Sequence, residues 1–415
     1  MAKPRRRANV KLLGVVRRRR AALLVSTALC ATVTMVVALP AAGQPAPNTL
    51  PTGFVARSPG VSASTSGNKL TVTETVQRGA ADYQSFSVGS QAQVQFVQPG
   101  PSAVMLNRVV GGDPSQIAGK IDANGQIIIE NQSGVIFYKG SQVNTAGLMV
   151  TAAASGDAAT QAFINGGQLA LDQAAHANAV VVNQGQITIK QAGLAALVAP
   201  QVVNSGVITA RLGTVVLAGG ATKATLDLYG DGMLSIDVTG QVVQAPNGAL
   251  ALVTNRGLIV ADGGTVQLTA TVADGLVQSL VNAGGKIRAN SVGSQSGTVT
   301  LNAVGGSVTV VGQLDAAGTA PGTMGGAIAV NATGNVSVAS SARINASGQA
   351  GGGVVAIGTT LQRAAGGPSV TATQTAANVS VQKGATIAAN DFTDPRIFAL
   401  IEKRIRTSCS VGAHS

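Results

Sequence analysis

The chain from residue 104 to residue 390 is a succession of short apolar runs separated by Gly, Asn and Ser. In its later part the runs alternate: residues 297–302 read GTVTLN and residues 326–331 read GAIAVN. A period of two places one side chain inward and the next outward, which predicts β-strands. Gly and Asn between the runs tolerate the backbone of tight corners. The pattern therefore predicts many short strands joined by sharp turns.

The strands recur in sets of three. Segments 297–302, 307–310 and 313–318 are repeated as 326–331, 335–338 and 343–348, and a third copy runs through 353–357, 378–381 and 387–389 with an insertion. Earlier copies carry Asn-x-Gly corners that begin at Asn165, Asn183, Asn204, Asn255 and Asn282. One such coil cannot bury its own apolar face, so coils must stack. This predicts a parallel β-helix with about 4.8 Å between coils. An apolar helix over 192–203 is the competing interpretation there, although Gly193 and Pro200 disfavour it.

Composition agrees with a narrow core. Aromatic residues make up 2 % of the chain and Trp is absent, whereas apolar residues reach 45 % and Gly numbers 53. Large rings usually dominate the core of a compact globule. A chain rich in Val, Ile, Ala and Gly instead suits thin, stacked coils.

Residues 1–43 have the order of a secretory signal peptide. Nine basic residues and no acid precede the mainly apolar residues 21–39, and Pro40 and small residues follow. We predict cleavage between Gly43 and Gln44. An uncleaved membrane anchor is the alternative, because the apolar run is nearly long enough to span a bilayer.

The leader explains the high isoelectric point. The formal net charge is +12, and removal of the nine leader cations leaves +3. The basic residues of 44–390 are scattered along the sequence without clusters, so the charge does not indicate binding to nucleic acid or an anionic membrane. Beyond the leader the only cysteine is Cys409, which leaves no partner for an intramolecular disulfide.

Residues with catalytic chemistry are sparse. Glycoside hydrolysis needs two converging carboxylates, and the only local acidic group is Asp227, Asp231 and Asp237. Asp231 precedes Gly232 and is more simply explained as part of a turn. His176 has no partner nearby in the sequence. We therefore expect no enzyme activity, no metal site and no cofactor.

Residues 104–151 carry a specific resemblance. Matching residues occur in order and spacing: Asn107-Arg108-Val109, Gly111, Ser115, Ile117, Gly119, Ala123-Asn124-Gly125, Val143-Asn144 and Gly147-Leu148. They resemble the N-terminal secretion (TPS) domain of two-partner-secretion exoproteins, the filamentous haemagglutinin family. Segments 50–53 and 84–89 also look like family elements, with Tyr83 where a Trp usually stands. The family's Asn-Pro-Asn-Gly corner reads Asn131-Gln132-Ser133-Gly134 here, and we expect the corner to form without the Pro.

The resemblance implies a fold and a function. The fold is all-β, a right-handed parallel β-helix (solenoid) that follows a cleaved signal peptide. The function is that of a secreted or surface-associated adhesin of a Gram-negative bacterium, exported via the periplasm. Its partners would be the periplasmic recognition domains of an outer-membrane two-partner-secretion transporter, and glycans or proteins at a host surface, but no nucleic acid. Eight residues, here called the secretion motif, are expected to carry transporter recognition: Asn107, Arg108, Asn124, Gly125, Asn131, Gly134, Asn144 and Gly147. Of these, Arg108 is expected to make the direct contact.

The domain plan and two alternatives complete the expectations. We assign 1–43 to the signal peptide, 44–300 to the secretion domain, 301–390 to further β-helix repeats and 391–415 to a non-repeat tail. The tail is either a helical cap, with Asp394 and Pro395 at its start, or the end of a truncated or frameshifted chain, which we favour. The alternative functions are a secreted β-helix polysaccharide-degrading enzyme and a truncated carrier of a contact-dependent toxin.

Overall fold

The computed structural model describes residues 43–220, 224–229, 233–238, 242, 246–272, 279–364, 375–390 and 399–401. The leader, Asp231 and most of the tail lie outside these ranges. No helix in the described part is long and apolar enough to cross a membrane.

The first five strands begin the fold and close one of its ends. They are β1 (Val55–Ala56), β2 (Val61–Ser66), β3 (Lys69–Glu74), β4 (Arg78–Tyr83) and β5 (Gln93–Val97). Strand β1 pairs antiparallel with β4, and β2 pairs antiparallel with β3. From β3 and β4 onward every neighbour within the three long sheets is parallel. The antiparallel pairs therefore cap the first coil.

The following strands form stacked coils of three. They are β6 (Val104–Val109), β7 (Ser115–Ile117), β8 (Lys120–Ala123), β9 (Gln126–Asn131), β10 (Gly134–Phe137), β11 (Gln142–Thr145), β12 (Gly147–Thr151), β13 (Leu169–Ala170), β14 (Val180–Asn183), β15 (Gln186–Ile189), β16 (Leu194–Ala199), β17 (Gln201–Asn204), β18 (Val207–Ala210), β19 (Thr214–Gly219), β20 (Ala224–Tyr229) and β21 (Met233–Val238). Strands β13, β20 and β21 belong to insertions rather than coils.

The later coils contain the remaining strands. They are β22 (Val253–Asn255), β23 (Leu258–Val260), β24 (Thr265–Thr271), β25 (Ser279–Ala283), β26 (Lys286–Arg288), β27 (Thr298–Val304), β28 (Ser307–Val310), β29 (Gln313–Asp315), β30 (Ala327–Ala332), β31 (Asn335–Val338), β32 (Arg343–Asn345), β33 (Val354–Ile357), β34 (Asn378–Val381), β35 (Thr386–Ala388) and β36 (Ala399–Ile401). The helices are α1 (Asp157–Ile164) and α2 (Leu361–Ala364), with a 3₁₀ turn at Pro246–Gly248.

Three long sheets run the length of the coils. Sheet 1 has 12 strands in the order β1-β4-β6-β9-β12-β16-β19-β24-β27-β30-β33-β36; sheet 2 has 9, β7-β10-β14-β17-β22-β25-β28-β31-β34; sheet 3 has 12, β2-β3-β5-β8-β11-β15-β18-β23-β26-β29-β32-β35. The chain passes from sheet 1 to sheet 2 to sheet 3 in each coil. The fold is the expected right-handed parallel β-helix.

Identical or similar side chains stack in the core. One registered row of sheet 1 runs Leu217, Leu268, Leu301, Val330 and Ile357, all of them buried. The predicted repeat of 297–302 by 326–331 is therefore a register of neighbouring strands. Each coil thus buries its apolar row against the same row of the coils on either side.

Polar corners are satisfied in the same repeating way. Asn183, Asn204 and Asn255 end three successive strands of sheet 2 and are fully buried. The side-chain amide of Asn183 donates to Asn204 (2.8 Å), and that of Asn204 donates to Asn255 (2.7 Å). Such a ladder satisfies amides that would be costly to bury alone. The prediction that Asn165 marks a coil corner is wrong, because Asn165 caps the C-terminus of α1.

Two insertions lie outside the coils over sheet 1. The first contains α1 and β13; the second contains the hairpin of β20 and β21, which pairs antiparallel with β13. Phe163, Leu169 and Leu171 of the first insertion pack on outward residues of sheet 1 such as Ile128 and Met149. Sheet 1 is consequently apolar on both faces in this part of the chain.

Two other expectations are settled by the strands. Residues 192–203 contain β16 and β17 and no helix, so the strand interpretation is confirmed. In the tail, Ala399–Ile401 forms β36, paired in parallel with β33. A helix at these three residues is therefore wrong; the rest of the tail lies outside the described residues, and the choice between cap and truncation stays a prediction.

Candidate secretion-signal region

The secretion motif occupies three successive coils. Asn107 and Arg108 lie in β6, and Asn124 and Gly125 form the corner from β8 to β9. Asn131 ends β9 and Gly134 begins β10, while Asn144 lies in β11 and Gly147 begins β12. The eight residues are therefore brought together at one end of the β-helix, although they are spread over all three long sheets and two kinds of corner.

The corner at Asn124 and Gly125 is built around Gln98. The Asn124 side chain accepts from the backbone N–H of Gln98 and donates to its carbonyl, both at 2.7 Å. The buried Gln98 amide accepts from the N–H of Gly125 and donates to Glu74. A Cβ on Gly125 would lie 2.7 Å from the carbonyl oxygen of Ala103. Gly125 is thus required by close approach and not by a positive φ.

The corner at Asn131 and Gly134 forms without the family's Pro. The carboxamide oxygen of Asn131 accepts from the N–H of Ser133 (2.9 Å), and its NH₂ group donates to Ser115 (2.9 Å). Gly134 has φ +99°, a conformation that strains other residues. A Cβ there would also lie 2.2 Å from the carbonyl oxygen of Val180. Of the motif glycines, Gly134 is the one with a positive φ.

Asn107 faces the interior of the coil. It stands in register with Ile129, a core residue, and is fully buried. Its side-chain NH₂ group donates to the carbonyl oxygens of Met105 (3.2 Å) and Ile128 (3.0 Å). Asn107 therefore ties the backbones of β6 and β9 together from inside.

Arg108 faces outward but is covered. It stands between Asp82 and Glu130 on the neighbouring strands of sheet 1, and its side chain is 11 % exposed. Its guanidinium contacts Asp157 of α1 at 3.0 Å and Asp82 at 3.5 Å. Arg57 contacts the same two carboxylates. In the folded domain Arg108 thus fastens α1 to sheet 1, and its direct contact with a transporter stays a prediction.

Glu130 is a residue of this region that the sequence pattern did not single out. It is buried, and its carboxylate accepts from both the N–H (3.0 Å) and the hydroxyl (2.8 Å) of Ser155, which directly precedes Gly156, the N-cap of α1. Burial raises the pKa of Glu130 to about 7, against the opposing effects of Ser155 and Arg108. A single acid at the end of the apolar run 127–129 was the available signal. No sequence signal pointed to Gln98, because the residues that it contacts are far from it in the chain.

Comparison with known proteins identifies this region. A family model described as the TPS secretion domain matches residues 51–316, well over half of the chain. The chain belongs to the TPS secretion domain family. The match includes β27 to β29 and so extends past residue 300, where we placed the domain boundary. Two-partner-secretion exoproteins of this family are secreted by Gram-negative bacteria via the periplasm.

Two relatives come from Haemophilus influenzae. The heme/hemopexin-binding protein is 31 % identical over 244 residues, which are 58 % of this chain and 26 % of that protein. The crystal structure of the HMW1 secretion domain is similar with a TM-score of 0.70 and 26 % identity, over 82 % of this chain and 84 % of that one. The chain thus matches about a quarter of the length of the heme/hemopexin-binding protein.

Solvent exposure divides the eight residues of the secretion motif into two groups. Asn144 is exposed and donates to Asp122 (2.9 Å), and Asn124 is half-buried. The other six are buried: Asn107, Arg108, Gly125, Asn131, Gly134 and Gly147. Most of the motif is therefore out of reach of a partner that meets the folded domain.

Other candidate residues lie elsewhere. Gly43 and Gln44 are exposed, but the leader before them is outside the described residues, so cleavage stays a prediction. His176 sits at the surface of the first insertion, 3.2 Å from the Ser133 hydroxyl. Asp227 and Asp237 lie on the two strands of the β20–β21 hairpin. Across the described ranges, no three His, Cys, Asp or Glu residues are placed to hold a metal ion.

Proposed function

We propose that the TPS domain is the export signal of a surface adhesin, read by the periplasmic domains of an outer-membrane transporter before the domain folds. The observation that carries this proposal is the burial of the motif. Six of its eight residues are buried once the coils are stacked. A transporter can read those residues only while the chain is extended.

Folding after export then follows from the stacking. Each coil that emerges buries its apolar row on the coil before it, at about 25 cal/mol per Å² of apolar surface. The motif residues that served as a signal in the extended chain become corner and core residues in the folded one. One set of residues thus has two successive roles.

The adhesive role rests on the same architecture. A rod of stacked coils presents outward side chains along its whole length, which suits binding at a surface. The binding of heme or hemopexin belongs to a relative of which this chain matches a quarter, and no cluster of metal-ligating residues in the described ranges favours it here.

The test must separate recognition from folding. Gly305 matches Gly134 structurally: it lies at a corner from sheet 1 to sheet 2, has φ +87°, and its Cβ would lie 2.2 Å from the carbonyl oxygen of Val272. Gly305→Val should therefore prevent folding and leave the motif intact. With the cognate transporter co-expressed, we expect this variant to appear in the culture medium.

Two further variants are made in the Gly305→Val background. Asn107→Ala with Asn131→Ala removes two motif amides, and we expect secretion to be lost. Asn204→Ala with Asn255→Ala removes two equally buried amides outside the motif, and secretion should persist. Immunoblots of medium and cells give the readout. Retention of all three proteins in the cell would show that the folded domain is read, and secretion of all three would remove Asn107 and Asn131 from the signal.

A further inference from the structure

The basic residues that are scattered in sequence are gathered on one side of the β-helix. Ten of them lie on sheet 3 or at the corners that lead into and out of it: Lys69, Lys120, Lys139, Lys190, Arg211, Arg256, Lys286, Arg288, Arg343 and Lys383. We call this surface the sheet-3 face. All except Lys69 and Arg288 are exposed, and those two are half-buried.

One registered row of the face runs through it without an acid. From first coil to last the row reads Lys69, Gln93, Lys120, Gln142, Gln186, Val207, Leu258, Lys286, Gln313, Arg343 and Thr386. Ten steps between strands make it about 48 Å long. Lys139, Arg256 and Lys383 lie at the adjoining corner from sheet 2, which carries no acid in the described ranges either.

Within the described ranges three acids point outward on the sheet-3 face, and all three are already engaged. Asp122 accepts from Gln93 and Asn144, both at 2.9 Å. Asp262 is paired with Arg288 at 2.7 Å. Asp315 is half-buried, accepts from the N–H of Ala317, and lies near Lys286 and Arg288. The face therefore keeps a clear excess of positive charge.

Three cations beside the first half of sheet 1 are held by other groups. Arg57 and Arg108 contact Asp82 and Asp157. Arg78 donates to the carbonyl oxygen of Gly167 (2.6 Å) and lies over the Phe163 ring. Asp113, Glu130 and Asp172 lie in the same part of the molecule. The described residues there therefore include more acids than bases. The charge is thus divided across the rod.

We propose that the sheet-3 face binds an anionic lipid surface, with phosphate headgroups against its lysines and arginines. The excess of positive charge is spread over a sheet and both its corners, which suits a planar partner. Each basic residue near anionic headgroups adds to the binding free energy. Val207 and Leu258 at the middle of the row add apolar contact. Tyr138 is the one aromatic side chain of the face within the described ranges, which disfavours single-stranded nucleic acid, since that partner binds by stacking. Contact with the membrane would keep the exported chain at a cell surface.

The test uses the purified exported chain and vesicles. Vesicles of phosphatidylcholine alone are compared with equimolar phosphatidylcholine and phosphatidylglycerol, at low and high salt, by co-sedimentation. We expect binding to the anionic vesicles only, and its loss at high salt because the interaction is screened. The face variant carries Lys120→Gln, Lys139→Gln, Lys286→Gln and Lys383→Gln, and its affinity should fall by about a hundredfold or more.

The control variant has the same net charge as the face variant. It carries Gln161→Glu, Gln168→Glu, Gln173→Glu and Gln267→Glu, which are exposed positions on α1, the first insertion and sheet 1. Its affinity should stay within about threefold of the unaltered chain, since these groups lie away from the bound face. Equal losses in the two variants would show that net charge and not the face is responsible, and would overturn the proposal. So would a failure of the unaltered chain to bind anionic vesicles at low salt, or binding of a single-stranded oligonucleotide in their place.

Discussion

The outward face of sheet 1 differs sharply between its two halves. One registered row reads Leu106, Ile128, Met149, Ala196 and Val216 in the first half. In the second half it continues as Gln267 and Thr300, and then as Ala329 and Ala356, which are buried again beside α2. The first five side chains are buried beneath the insertions, whereas Gln267 is exposed and Thr300 is half-buried. The inward residues of sheet 1 are mainly apolar in both halves, with Asn107 as an exception. The β-helix coil therefore accepts either apolar or polar residues in its outward row, and their polarity depends on whether other segments cover that row.

The largest effect is expected from placing an amide at matched positions in the two halves. Ile128→Asn would bury an unpaired polar group and leave a gap under the first insertion, so the free energy of unfolding should fall by about 4 kcal/mol. Gln267→Asn, in the same row but exposed to solvent, should change it by less than about 0.5 kcal/mol. Urea unfolding measures both. Similar losses at the two sites would mean that the insertion does not define the difference.

Removal of the insertion's anchor should have the next largest effect. Phe163 is the large buried side chain of α1, and Arg78 lies 5.5 Å from its ring centroid. Phe163→Ala should lower the free energy of unfolding by about 3 kcal/mol. Hydrogen exchange should become faster in α1 and in the small sheet of β13, β20 and β21 than in β27 and β30. Uniform acceleration along the rod would contradict separate stabilisation of the covered half.

The asparagine pairs give a smaller contrast between the same halves. Asn204 bonds Asn183 and Asn255 in the interior, whereas Asn335 and Asn378 form an exposed pair at 3.0 Å. Asn204→Ala removes one hydrogen bond from each of two buried amides and should cost about 2 kcal/mol. Asn335→Ala should cost less than about 0.5 kcal/mol. Thermal unfolding of the two variants decides, and an equal shift of the melting temperature would show that ladder burial is unimportant.

The smallest effect is the pH dependence that Glu130 contributes in the covered half. Burial raises the pKa of Glu130 to about 7 from 4.5, so the folded state holds its proton more tightly than the unfolded chain. Stability from this group is full below pH 4.5 and is lost as the pH rises through 7. Glu130→Gln should remove that decline, because the amide does not titrate. Parallel stability curves for variant and parent across this range would show that the carboxyl does not titrate in this way.

The sequence predicted the coils better than their surroundings. Alternation in 297–302 and its repeat gave the strands directly, because each inward row must be apolar for stacking. The continuous apolar runs of β9 and β16 also carried a signal, since strands covered on both faces lose their alternation. The position of α1 could not be inferred, because it depends on contacts such as Arg108 with Asp157, which join residues far apart in the chain. For the same reason Arg108 looked like an exposed contact residue.

The antiparallel strands at the first coil give the rod a direction. Strand β1 is two residues long, and β2 presents Ser and Thr at the outer edge of sheet 3. Short and hydrophilic edges are poor templates for a further strand. A second molecule therefore has little to join at that end, while strands of the same chain always have the preceding coil on which to pair. The two ends of the β-helix therefore differ: coils of the same chain are added in one direction, and the first coil disfavours strand pairing with a second molecule.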